Sequence, residues 1–378
     1  MEENKSKSEL EFSGPNKDIV NSFACITCGA DLKYKPGTKH LHCDYCGAEN
    51  EIPDIGEPVN ENDFYEFINK EAASSQKMSI SVVRCNNCGA TTTIEANLQS
   101  HSCPYCMSPL VIKDAHSESV IQPKAILPFK INKEEAKNKF KAWVKSLWFA
   151  PNDLKKATLD TDRLNGLYIP YWTFDSNTSS SYIGQRGEYY YVNVPYTTTE
   201  NGKTVSKTRR ERRTRWYTVS GNLNHAFDDV LVIASKSLPI KYAENLEPWD
   251  LNNLTAFNDS YLGGFITEKY QVELKHGFEN AKAKMEDQLR TMVKQKIGGD
   301  EQRIITLNTQ HNNITFKHIL LPIYLSAFRF KGKVYQFLVN GRTGEVQGER
   351  PYSGWKIALL VLAVLAVAAV VIYFASKK

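Results

Sequence analysis

The apolar residues of this chain fall into three regimes. Residues 357–375, IALLVLAVLAVAAVVIYFA, form an uncharged run of 19. At 1.5 Å per helical residue that run spans about 28 Å, close to the roughly 30 Å hydrocarbon core of a bilayer. Trp355 and Tyr373 stand near its two ends, where amphipathic rings favour the membrane–water interface. The pattern therefore predicts a transmembrane helix over 355–375.

A second regime, residues 125–350, alternates between helical and strand periods. Asn132 followed by Glu135 has the form of a capping box, and Ala136, Phe140, Trp143, Val144 and Leu147 make one apolar face before Pro151. A second helix is expected over about 278–297, with Ala281, Met285, Leu289, Met292 and Val293 on one face and Gly298-Gly299 at its end. The stretch 167–174, LYIPYWTF, reads as a short aromatic strand. Residues 187–198 and 203–219 flank Asn201-Gly202, a strong hairpin signal. Segments 319–330, 334–339 and 345–347 read as a meander with turns at Lys331-Gly332-Lys333 and Asn340-Gly341. These elements predict an α+β body with a mainly antiparallel sheet. YIPYW at 168–172 and LLPIY at 320–324 echo one another after the two helices, a weak sign of two copies of one β-α-β unit.

The third regime, residues 1–124, has little apolar periodicity but holds all eight cysteines. Cys25, Cys28, Cys43 and Cys46 follow C-x2-C-x14-C-x2-C, and Cys85, Cys88, Cys103 and Cys106 repeat it 60 residues later. Four thiolates on two tight turns match the closed, tetrahedral ligand set of a structural zinc ion. Gly29, Gly47 and Gly89 follow three of the turns and can take the positive φ such knuckles use, whereas Met107 departs from the pattern. His40, His42 and His101 lie near the ligands, but four cysteines already complete each shell, so the histidines read as bystanders. Modules of about thirty residues bury little core, so metal would supply much of their stability. The competing reading, a disulfide framework, sits poorly with an N-terminus (MEENKSKSELEF) lacking the apolar core of a signal peptide.

The expected organisation is a disordered tail (1–20), zinc ribbon one (21–52), a linker (53–79), zinc ribbon two (80–112), a linker (113–124), the α+β body (125–350) and the membrane helix. Positive charges flanking the apolar run nearly tie. Thiolate–metal sites need a reducing milieu, and this places the large N-terminal part in the cytoplasm, the chain being tail-anchored.

The formal charge of +5 overstates the basic character. Two zinc tetrathiolates would lower it to about +1. Basic residues concentrate in KTVSKTRRERRTRW at 203–216, where Lys207, Arg209, Arg210, Arg212, Arg213 and Arg215 would form a cationic stripe on a hairpin. That stripe could contact RNA, DNA or anionic lipid headgroups, with a membrane surface or an acidic protein partner favoured over nucleic acid, or simply keep a solvated hairpin from aggregating. Neither ribbon carries a basic stripe of its own, so nucleic acid is not favoured there. Gly298-Gly299-Asp300-Glu301 resembles the start of a GGDEF signature but is better explained as a helix terminus. The chain lacks a P-loop, HExxH, GxSxG and a Rossmann fingerprint. No acid–base cluster is legible, and neither an enzymatic activity nor a small-molecule substrate is expected.

Several longer motifs accompany the twin C-x-x-C turns: YIPYWTFD (168–175), RWYTVSG (215–221), FDDVLVIAS (227–235), YLGGFITEKY (261–270) and LVNGRTGEVQGERPYSGWK (338–356). With these the chain resembles a bacterial family of TFIIB-type zinc-ribbon membrane proteins, often labelled primosomal helicase-like on the cysteines alone. No ATPase motor motif is present, so the helicase label does not fit. The resemblance implies association with SPFH and phage-shock PspA-type proteins in membrane stress, and it brings no established catalytic residues. The expected function is a tail-anchored, cytoplasm-facing scaffold that recruits soluble proteins to the membrane. The alternative is a membrane-attached nucleic-acid-binding zinc-ribbon protein.

Overall fold

A computed structural model of the chain describes residues 23–376 apart from 55, 57, 70–76, 94–100, 111–114, 153–163, 201, 331–332 and 350–351. The expected tail at 1–20, Asn201 of the hairpin turn and Lys331-Gly332 lie outside the described residues. The fold is α+β and dominated by sheet.

Three strands form the spine: β1 (Asn165–Glu200), β2 (Lys203–Ile233) and β3 (Glu301–Phe330). They lie antiparallel in the order β2-β1-β3 within a nine-stranded sheet. At 36 residues, β1 runs about 115 Å if straight. The short strand expected at 167–174 is thus only its buried root. There Tyr168, Ile169, Trp172 and Phe174 are fully buried, which is why the apolar pattern is continuous. Beyond it the sequence turns to Ser, Thr and Asn, yet the strands continue. Their hydroxyls bond between the strands: Thr178 to the His225 carbonyl (2.7 Å) and Ser180 to Thr309 (2.8 Å). The echoed segments 168–172 and 320–324 are direct neighbours, Ile169 pairing with Leu321.

Helix α1 (Lys133–Ser146) opens on the expected capping box. Glu135 N–H donates to Asn132 Oδ1 at 2.9 Å, and Asn132 N–H donates to Glu135 Oε2 at 3.0 Å. Its apolar face packs on strand β4 (Lys333–Asn340), with Phe140 and Trp143 5.2 and 5.1 Å from Phe337. Helix α2 (Leu274–Ile297) lies on the spine and buries Phe278, Ala281, Met285, Leu289 and Val293. Its Gly277 meets the Trp172 ring so closely that a Cβ there would sit 2.7 Å from Cδ1. The Trp172 indole N–H donates to the Val272 carbonyl at 2.8 Å, so this edge of the core is both packed and hydrogen-bonded.

Helix α3 (Gly354–Ser376) has no buried residue, and its most apolar 18-residue stretch has a mean hydropathy of 3.1. It is long and apolar enough to cross a bilayer. It joins the body through Lys356, whose ammonium donates to the carbonyls of Trp148 (3.2 Å) and Ala150 (2.8 Å) and to Asn152 Oδ1 (2.9 Å).

Candidate metal centres

The four C-x-x-C turns share one backbone design. Each first cysteine carbonyl accepts from the residue four positions on: Gly29, Gly47, Gly89 and Met107 donate at 2.8–3.0 Å. That residue takes φ of +76°, +74°, +78° and +63° respectively. Met107 therefore adopts the left-handed conformation the turn demands despite its side chain.

The turns bring the sulfurs into two groups, Cys25/Cys28/Cys43/Cys46 and Cys85/Cys88/Cys103/Cys106, each within 4.8 Å. The shortest Sγ–Sγ separations are 3.6 Å (Cys25–Cys46, Cys28–Cys43), 3.5 Å (Cys85–Cys106) and 3.6 Å (Cys88–Cys103). A disulfide would need about 2.05 Å. A tetrahedron of sulfurs 2.3 Å from a central ion has edges of about 3.8 Å, close to what is seen. All eight thiols are free, and each group could hold one metal ion.

The modules are not mounted alike. The first joins the body through the end away from its sulfurs. Tyr34 packs edge-on against Tyr261 (5.0 Å), and its hydroxyl donates to the Phe129 carbonyl (3.2 Å). Its knuckles face outward: Cys28 and Cys46 are exposed, Ile26 is 88% exposed and Tyr45 84%. The second module is held by the knuckle itself. Tyr105 holds the same place in the repeat as Tyr45, 60 residues on, but is only 1% exposed, and its hydroxyl donates to Glu268 Oε2 at 2.7 Å. Gln336 Nε2 donates to the Tyr105 carbonyl (2.9 Å), and Thr92 bridges Glu268 in the backbone. Cys85, Cys103 and Cys106 are buried.

Glu268 is the functional neighbour that spacing alone does not reveal. It is 2% exposed and also accepts from the Ser237 hydroxyl at 2.5 Å. Burial pushes its carboxyl up to about 7, against the lowering effect of the hydrogen bonds from Ser237 and Tyr105. Because this value lies above that of an unfolded glutamate, the folded state holds the extra proton between about pH 4.5 and 7. The stabilising proton is lost as pH rises through that window, at a cost of up to about 3 kcal/mol. Glu268→Gln should flatten this fall: urea midpoints measured from pH 5 to 8 should decline less in the variant than in the wild type.

A third group, Glu61, Asp175 and Asp228, also gathers carboxylate oxygens within 4.8 Å. Here Lys317 already supplies the cation, 2.7 Å from both Glu61 and Asp229, and Thr315 donates to Glu61. Burial and the adjoining Glu61 push Asp175 up to about 7. The cluster fastens the segment around Asn62–Asp63, which pairs with β3, to a bulge in the spine. The histidines gain partners that sequence alone does not show. His116 pairs with Glu118 at 2.8 Å, and buried His318, pushed down to about 4 by burial, bonds the Ile121 carbonyl through Nδ1. Neither sits in a sulfur cluster, nor do His40 and His42.

The basic run lies on the protruding end of the β1–β2 hairpin. Arg209, Arg210, Arg212, Arg213 and Arg215 are exposed there, and Lys207 is half-buried.

Compared with known proteins, the chain matches no family model and no solved structure. It is similar to an uncharacterized protein of Bacillus subtilis (strain 168), YdjG, at 26% identity over 347 residues, covering 90% of this chain and 93% of that one.

Proposed function

We propose that the protein is a membrane-anchored zinc-ribbon adaptor, its N-terminal bulk in the cytoplasm, that recruits soluble proteins to the bilayer. PspA- or SPFH-type membrane-stress proteins are the candidate partners. The observation that carries this reading is the contrast between Tyr45 and Tyr105. One repeated knuckle tyrosine is buried against the body, while its counterpart stands 84% exposed and Ile26 on the other turn of the same module is 88% exposed. Large exposed apolar side chains on the two turns that converge on one metal site have the character of an interaction surface. The four-sulfur donor sets are closed, which suits zinc in a bracing role rather than a catalytic one. Helix α3, apolar on every face, suits a bilayer anchor.

The test is co-purification from membranes. Partners recovered with wild type should be lost with Cys25→Ser/Cys28→Ser, and also with Ile26→Asp/Tyr45→Asp, whose metal content should remain at the wild-type level. Recovery of the same partners with both variants would refute the docking role of the first ribbon.

A further inference from the structure

Beyond Gly187, the last residue of β1 paired with β3, the β1–β2 hairpin stands alone for 13 further residues of β1, an overhang of about 40 Å. Side chains alternate between its two faces, and the faces differ. On one face Arg186 pairs with Glu188 (2.9 Å) and Arg209 and Arg213 share Glu211 (3.7 and 3.8 Å), so most of its arginines are ion-paired, while Arg215 lies 5.0 Å from the Tyr190 centroid.

The opposite face carries Tyr189, Tyr191, Arg210, Arg212 and Trp216, continued on β3 by Arg303. Each arginine lies over a ring. Arg210 is 4.1 Å from the Tyr191 centroid, Arg212 4.2 Å from Tyr189, and Arg303 3.8 Å from Trp216. All three arginines are exposed, and none has a carboxylate within ion-pairing distance among the described residues. Two carboxylates stand at the margin and bond Tyr189 instead: Glu301 accepts from its hydroxyl and Asp300 accepts from its N–H at 2.7 Å.

Stacking holds the guanidinium planes in place before any ligand arrives, so less side-chain entropy is lost on binding. It also leaves their N–H edges available to oxyanions. Arg210 and Arg212, two strand residues apart, are spaced by about 6.7 Å, and Arg303 extends the row eight residues along the strand, about 26 Å from the level of Arg210. A row of fixed cations interleaved with π-faces suits a polymer that alternates phosphates with flat bases. A lipid surface would use the charge and the exposed Tyr196 and Val205 near the tip, but would leave the arginine-capped rings without a partner.

We propose that this face of the hairpin, from Arg303 and Trp216 to Arg210, binds single-stranded nucleic acid. The site is independent of the ribbons, so it stands or falls separately from the adaptor reading.

The probe is fluorescein-labelled dT12, titrated by anisotropy against the full chain in neutral detergent. Three phosphate contacts predict a slope of about −2 in log affinity against log salt. Arg210→Gln/Arg212→Gln should weaken binding at least about tenfold, the size expected for two charge-assisted contacts. Tyr191→Leu, which keeps every charge, should weaken it at least about fivefold through lost stacking. The melting temperatures of these exposed-site variants should match wild type, which separates loss of binding from loss of fold. Absence of dT12 binding at 50 mM salt overturns the proposal. So does a Tyr191→Leu variant that binds unchanged, or preferential binding of polyphosphate, polyglutamate or vesicles with 30% anionic lipid. Any of these would leave a plain cationic patch.

Discussion

Purified full-length protein should carry two zinc ions per chain, and a chelator should remove them in two separable phases. In the first module Cys28 and Cys46 are exposed, so its ion should leave quickly. In the second, only Cys88 is exposed and the knuckle is sealed by Tyr105 on Glu268, so its ion should leave slowly. Structural zinc contributes roughly 10–16 kcal/mol to the folding of isolated finger peptides. The body braces the second module, so the full amount is not at stake. Even a third of it, about 4 kcal/mol, corresponds to a drop of about 10 °C in the melting midpoint of a domain of this size. Cys85→Ser/Cys88→Ser should therefore show one zinc by elemental analysis and a midpoint lower by about that much. The equivalent change in the outward-facing first module should cost less. Metal-free wild type, or equal losses from the two modules, would contradict this assignment.

The elements that were legible in the sequence are those determined locally. A capping box needs Asn132 and Glu135 three residues apart, and a knuckle needs two cysteines and a residue tolerant of positive φ. Both chemistries are complete within a few positions. Strand length was not legible, because β1 beyond Phe174 satisfies its polar side chains across the ladder with residues 45–135 positions away, such as Asn224, Thr309 and His311. No local pattern announces such pairings. The same holds for the candidate sites. Spacing placed the eight cysteines in two sulfur groups but treated the modules as equivalent. What distinguishes them is Glu268, 163 residues beyond Tyr105, together with the burial it undergoes. Likewise the basic run showed as one stripe of six cations. Strand alternation divides it into a face whose arginines are mostly ion-paired and a face whose arginines each lie over a ring with no ion pair among the described residues, and the rings come from the other strand. Charge was readable as composition; its pairing was set by the fold.

Deleting residues 354–378 should transfer the protein from the membrane pellet to the supernatant while leaving the body folded, with a midpoint lower by no more than about 7 °C. Helix α3 buries no residue against the body, and its ties are the few hydrogen bonds of Ser353 and Lys356, each worth about 1 kcal/mol or less at an exposed site. Any attachment to a bilayer would rest on the run itself. The twelve Leu, Ile, Val and Phe residues within 357–375 contribute roughly 0.3–0.6 kcal/mol each to insertion, about 4–7 kcal/mol together. One central arginine costs about 2.5–3.5 kcal/mol, which weakens insertion without abolishing it. Two cancel it, so Val364→Arg/Val367→Arg should release the chain as fully as the deletion does, although every residue of the tether remains. A single Val364→Arg change should give an intermediate distribution. If the truncated chain stays with the pellet after a high-salt wash, the body itself holds the membrane and the anchoring role of α3 fails. If it leaves the pellet only after that wash, the charged hairpin is a second, electrostatic contact, one that salt would screen but that two buried arginines in α3 would not affect.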